Sequence, residues 1–301
     1  MIKWLKNFKY YKKEERIKLF FFVVSITALV ILLSIFGFLF FTGIKAFGEI
    51  SLSEFFFGKV WNPTAYGEPK WGILALITGT LIVTGIALLI AIPLGIAGAI
   101  YLSEIASLRT REILKPVIEM IAGIPSVVLG LIGLLFLAPV VAHLFNLNSG
   151  LNALTSSIIV AIMILPTIIS ISEDVITSLP KEFREASLAL GATKWQTIKM
   201  TLIPAASSGI AAAIMLGLGR AVGETMAVLM IAGNSIAMPG SIFDPVRPLT
   251  ANVAIEIKEV VTGSLHYNAL FAMALVLFIL TFVVNLISDI IIEKHIRKYK
   301  W

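Results

Sequence analysis

Four long stretches of the 301-residue chain carry no charged residue: Leu19 to Ile44, Trp71 to Ser103, Met120 to Ser172 and Val260 to Ser288. A helix needs about 20 apolar residues to cross the hydrocarbon core, so each stretch is long enough to span a bilayer. The 53 residues from Met120 to Ser172 are too many for one crossing, and the polar patch HLFNLNSGLN, His143 to Asn152, is the natural place to turn back. A further apolar run, Met200 to Phe243, is interrupted only by Arg220 and Glu224. The pattern therefore predicts an all-α polytopic membrane protein with six transmembrane helices.

Composition agrees: 58% of residues are hydrophobic and 14% are charged, against roughly 25% charged in soluble domains. With no cysteine and three scattered histidines (His143, His266, His295), the chain has no disulfide and no local metal motif. Neither a metal nor a cofactor is expected. The net charge of +6 is explained by where the basic residues fall. Eighteen Lys and Arg lie in the two tails and in segments 104–115 and 173–199, five lie in segments 45–70 and 235–259, and Arg220 is left within the membrane. The basic excess marks the cytoplasmic side, so both termini are expected there, and it argues against nucleic acid as a partner. The first apolar run has 26 residues, whereas a cleaved signal core has about 7 to 15, so it reads as a retained anchor.

Residues 1–70 read as a cytoplasmic basic tail, the first span and an outside segment, and 293–301 as a second basic tail. The outside segment, 45–70, is aromatic-rich and reads as an interfacial belt around a short helix. Pro93 lies among Gly85, Gly95 and Gly98, small residues that let helices approach closely. The third span opens KPVIEMIAGIPSVVLG, with Pro116 suited to a first helical turn and Glu119 just inside it, a helix-end feature more than a ligand group. Pro125, Pro139 and Pro166 should kink or interrupt their spans, which fits either helices lining a pathway or purely structural kinks.

The segment from Glu173 to Ile203 is the longest hydrophilic piece inside. Ser178 and Pro180 can start a helix that Gly191 ends, and Thr193 with Gln196 has the spacing of a capping box for a second one. Phe183, Ser187 and Leu190 share one face of the first helix; Trp195, Ile198 and Leu202 share a face of the second. Those faces pack on the protein's own spans or dock a separate cytoplasmic subunit.

Within this segment, REASLALGATKWQTIKMTLIPAA resembles the EAA loop of ATP-binding-cassette importer permeases, with Glu185, Ala186, Gly191 and Pro204 matching in type and spacing. Ser187, Thr201 and Ile203 depart from that pattern. AGIPSVVLG, ILPTIISISED, LGRAVGETMAVLMIAGN and FDPVRPLTANVA further resemble the PstC-type permease of phosphate importers, in the same order. The resemblance implies a type-1 permease fold over 71–292, and a coupling loop at 173–203 where Glu185, Ala186, Gly191, Phe183 and Leu190 meet an ATPase. It also implies a second homologous permease, two ATP-binding-cassette ATPases, an extracytoplasmic phosphate-binding protein and surrounding lipid in the inner membrane. Phosphate as the cargo comes from the resemblance; molybdate, sulfate and phosphonate permeases are the neighbouring alternatives.

Arg220 lies sixteen residues beyond Pro204, about 24 Å along a helix, and a charge in the bilayer costs at least about 2.5–3.5 kcal/mol. Glu224, four residues on, would share its helical face, so the two can form a buried ion pair. The functional reading makes Arg220 a planar fork for a tetrahedral oxyanion, with Glu224 holding it and keeping binding weak enough for release. Gly217, Gly219 and Gly223 leave room for a helix break or for close packing. No GxxxxGK[ST], GxSxG or HExxH string occurs, so the chain should not be an enzyme, and ATP hydrolysis should lie on another subunit. A secondary anion transporter is the rival class; its inverted halves should leave a repeat, and none is evident.

Overall fold

A computed structural model describes residues 2–298. Side chains at 1–14, 16, 288–289 and 291–301 lie outside the described set, and with them most of both basic tails. Among the described residues, six helical stretches are long and apolar enough to cross a membrane: Ile17–Gly48, Leu74–Ile105, Ser126–Leu144, Ala153–Ser178, Lys194–Gly223 and Leu265–Ile287.

In chain order, α1 (Ile2–Gly43) leads through a 3-10 turn, Ile44–Gly48, to α2 (Leu52–Phe57) and a two-residue antiparallel pair, β1 (Trp61–Asn62) with β2 (Lys70–Trp71). Then follow α3 (Leu74–Ile100), a π-helical turn (Tyr101–Ile105), α4 (Leu108–Ala122), and α5 (Ser126–Ile132), joined by the π turn Gly133–Leu137 to α6 (Ala138–Leu144). The central helix is α7 (Ala153–Ser178), the most buried of the spanning stretches. The short helices α8 (Lys181–Ala189) and α9 (Lys194–Thr197) precede a third π turn (Ile198–Leu202) and α10 (Ile203–Gly223). Last come α11 (Met226–Ile231), α12 (Leu249–Glu256) and α13 (Leu265–Lys298).

Small residues bring α3 and α7 together: a Cβ at Gly95 would stand 2.6 Å from Ile168 Cγ2, and one at Gly98 would stand 3.1 Å from Ile169 Cδ1. Gly85, expected to serve the same packing, faces open space. The turn after α6 is where the polar patch places it. Asn152 caps α7 by accepting from the Thr155 amide at 2.9 Å, and the next free amides, Ala153 and Leu154, donate to the carbonyls of Asp244 and Ile242. A distant loop thus satisfies the donors that a helix start leaves open. At the periphery α1 lies along α13, with Phe36 on Phe278 and Phe38 on Phe271.

Two expectations change, and the prolines fall at or within helices. Pro116 and Glu119 sit late in α4, because Ser107 caps a helix that begins at Leu108, accepting from the Thr110 amide at 3.2 Å. Pro125 does separate α4 from α5, and Pro139 opens α6, whereas Pro166 lies within α7 without ending it. The outside segment is a packed module and not a belt: Phe55, Trp61 and Trp71 are buried together with Leu249, Leu270 and Met273. A Cβ at Gly150 would fall 1.8 Å from the Ala138 carbonyl oxygen. Gly150→Ala should therefore lose about 1–3 kcal/mol of stability and lower the unfolding temperature in detergent, with Gly85→Ala close to neutral.

Candidate functional site

The GET sequence at 223–225 ends one helix and starts another. Thr225 Oγ1 donates to the Gly223 carbonyl at 3.1 Å, Glu224 leaves the helix with ψ 124°, and its Oε1 accepts from the Ala227 amide at 3.0 Å. Glu224 therefore caps α11, its carboxylate sitting where a helix start favours negative charge. No Arg220–Glu224 ion pair forms, which corrects the expected pairing: the spacing of four acts only within a continuous helix, and this one stops at Gly223.

Arg220 is met instead by helix ends. It occupies the last turn of α10, and its Nη2 donates to the Ala122 carbonyl at 3.4 Å, where α4 ends. Carbonyls at helix C-termini carry partial negative charge, which favours a cation. The guanidinium is exposed and lines a cleft of about 470 Å³ with Met215, Leu216, Gly219 and Asn285. Gly217 packs on Ile168, whereas a Cβ added at Gly219 or Gly223 would meet nothing within 4 Å, so the glycines serve both of their possible uses.

At the other end of the bundle, α8 and α9 are set as the sequence requires. Gly191 turns the chain at φ 83°, and Thr193 and Gln196 form the full capping box. Arg184 anchors α8: its Nε and Nη2 donate to Glu104 Oε1 at 3.0 and 2.6 Å, and Nη1 and Nη2 donate to the carbonyls of Leu179 and Ile176. Ser187 and Thr201, two of the departures from the EAA pattern, touch: Thr201 Oγ1 donates to Ser187 Oγ at 3.4 Å, and Thr197 joins them at 3.0 Å. Ile198 and Leu202 are buried against α3 and α10. Phe183, Leu190 (90% exposed), Trp195 and Met200 remain bare, and Glu185 and Ala186 are exposed beside them.

A model of binding-protein-dependent transport system inner membrane components matches residues 91–300. The chain belongs to that family. It is 43% identical to the probable ABC transporter permease protein YqgH of Bacillus subtilis, covering 86% of this chain and 85% of the relative. Identity to the phosphate transport system permease proteins PstC of Mesorhizobium japonicum and Haemophilus influenzae is 39% (78% and 76% covered) and 35% (83% of each). Among solved structures, a bacterial alginate ABC transporter in complex with alginate-bound periplasmic protein aligns with TM-score 0.61 at 15% identity, over 92% of this chain and 95% of that one. The MetNI methionine ABC transporter aligns at 0.54 and 19%, over 74% and 94%. The chain is a multi-pass inner-membrane permease of type-1 fold, a transport subunit and not an enzyme.

Two charged clusters of the permease escaped the sequence. On the face opposite α8, Glu256 takes the Trp61 indole N–H on both oxygens at 3.0 Å, Arg247 Nη1 at 3.4 Å and His266 Nε2 at 2.8 Å. Burial lowers the Arg247 pKa, and the Glu256 charge opposes that shift. On the α8 face, Glu173 is paired with Arg111 and, at 2.7 Å, with Lys115, which also meets Asp174. Burial acts to lower the Lys115 pKa, but hydrogen bonds and charge from Asp174 and Glu173 leave it raised. Only the fold brings these partners together; Trp61 and Glu256 are 195 positions apart.

Trp61→Phe keeps an aromatic ring but removes the donor that bridges both Glu256 oxygens. It should cost about 1.5–3 kcal/mol, read as a lower unfolding temperature with the six-span topology intact.

Proposed function

We propose that this permease carries inorganic phosphate through an ATP-driven importer, with Arg220 as the oxyanion contact on the path. The observation that carries the reading is a guanidinium on a cleft whose partner is a backbone carbonyl and not a carboxylate. Its donors remain available to a tetrahedral anion, whose geometry matches the planar fork. The PstC names of two relatives favour phosphate as that anion. Glu224 acts at one remove: by capping α11 it sets where the chain leaves α10, just beyond Arg220, and adds negative charge near the path that keeps binding weak.

The bare apolar residues Phe183 and Leu190, with Glu185, Ala186 and the Gly191 turn, form the docking face for the ATPases. Apolar side chains left open on a polar, basic face mark a protein contact. The complex holds this chain, a second homologous permease, two ATPases and an extracytoplasmic phosphate-binding protein. Both termini face the cytoplasm, as the basic excess requires.

Arg220→Lys retains charge and loses the fork; phosphate uptake should fall about tenfold or more while the complex still assembles. Uptake at the wild-type rate would remove the oxyanion contact. Leu190→Asp should weaken ATPase co-purification without lowering the amount of permease in the membrane. In the assembled complex, phosphate with its binding protein should stimulate ATP hydrolysis, whereas sulfate and molybdate with theirs should not.

A further inference from the structure

Among the described residues Glu173 is the one ionisable side chain with no solvent exposure. A carboxylate withdrawn from water is tolerated only when cations and hydrogen bonds replace its hydration. Arg111 and Lys115 do so from one face of α4, four residues apart. Thr177 closes the cluster: its Oγ1 donates to Glu173 Oε1 at 3.0 Å and accepts from Arg111 Nη2 at 3.0 Å.

What this cluster holds is unusual in its packing. α4 has no buried residue, and its apolar side chains Ile113, Val117 and Met120 are exposed, so hydrophobic burial does not fasten it within this chain. It is fastened by polar contacts to α7: the Glu173 cluster near its start and Ser170 Oγ donating to Glu119 at 3.2 Å near its end. One more step along α4 lies the Ala122 carbonyl that receives Arg220. The same last turns of α7 are gripped from α8, through Arg184 on the carbonyls of Ile176 and Leu179. A displacement of α8 therefore reaches the end of α7 directly, and the end of α7 holds α4 through charge.

We propose that Glu173, Arg111 and Lys115 are positioning residues that tie the ATPase-facing segment to the α4 end beside Arg220, so that the state of one sets the geometry of the other. The proposal rests on the importer reading above. Directional ion pairs suit this task because they hold one geometry tightly yet leave α4 free of the interlocked packing that fixes α3 on α7.

The test uses the complete transporter in proteoliposomes with its binding protein and inorganic phosphate, reading phosphate delivered per ATP hydrolysed. This ratio does not depend on how much complex assembles, so a purely structural role would leave it unchanged. Glu173→Gln should lower the ratio about fivefold or more and make ATP hydrolysis insensitive to phosphate. Lys115→Gln, which leaves Arg111 on Glu173, should lower it less. A wild-type ratio in both variants overturns the proposal. If Glu173→Gln does not assemble, Lys115→Gln decides alone, a wild-type ratio again overturning it. Absence of ATP-dependent uptake by the wild-type complex would instead count against the importer reading itself.

Discussion

A charge taken out of water inside a helical bundle has to be met by another charge, a hydrogen bond or a helix end, because nothing else there replaces its hydration. That constraint organises this permease. Glu173 is fully buried and draws two cations from α4. Glu256 gathers Trp61, Arg247 and His266 from three separate segments. Arg184 joins a carboxylate and two carbonyls, and Arg220 rests between the ends of two helices. Each polar centre sits where elements meet, so satisfying the charge also sets how the elements are placed.

The helix that links these centres is α7. Its start is capped by Asn152 and stitched to the loop around Asp244, its middle meets α3 across Gly95 and Gly98, and its end is shared between α4 and α8. The middle is close-packed and resists small displacements. The end is packed as well, with Ile176 buried against Ile198, Leu202 and Ala206, and it adds side-chain charge and hydrogen bonds to α4 and α8. The same arrangement leaves Arg220 against a backbone carbonyl and not against Glu224.

Much of this was legible in the chain itself, for a physical reason: spans, caps and turns depend on neighbours within a few positions. Five apolar runs, one of them folded back at the polar patch 143–152, gave six spans, and Gly191 with Thr193 and Gln196 gave the corner between α8 and α9, since each needs only local backbone chemistry. The resemblance to importer permeases rested on such local strings too. What tertiary structure alone decided was how distant side chains share charge and space. Helical spacing suggested an Arg220–Glu224 pair, but Thr225 and the Ala227 amide drew the backbone and Glu224 elsewhere. The outside aromatics became a core because α12 and α13 close over them, and Glu173 and Glu256 found partners 62 and 195 positions away. Local rules set which residues form helices; the cost of burying charge, solved over the whole fold at once, set which of them meet.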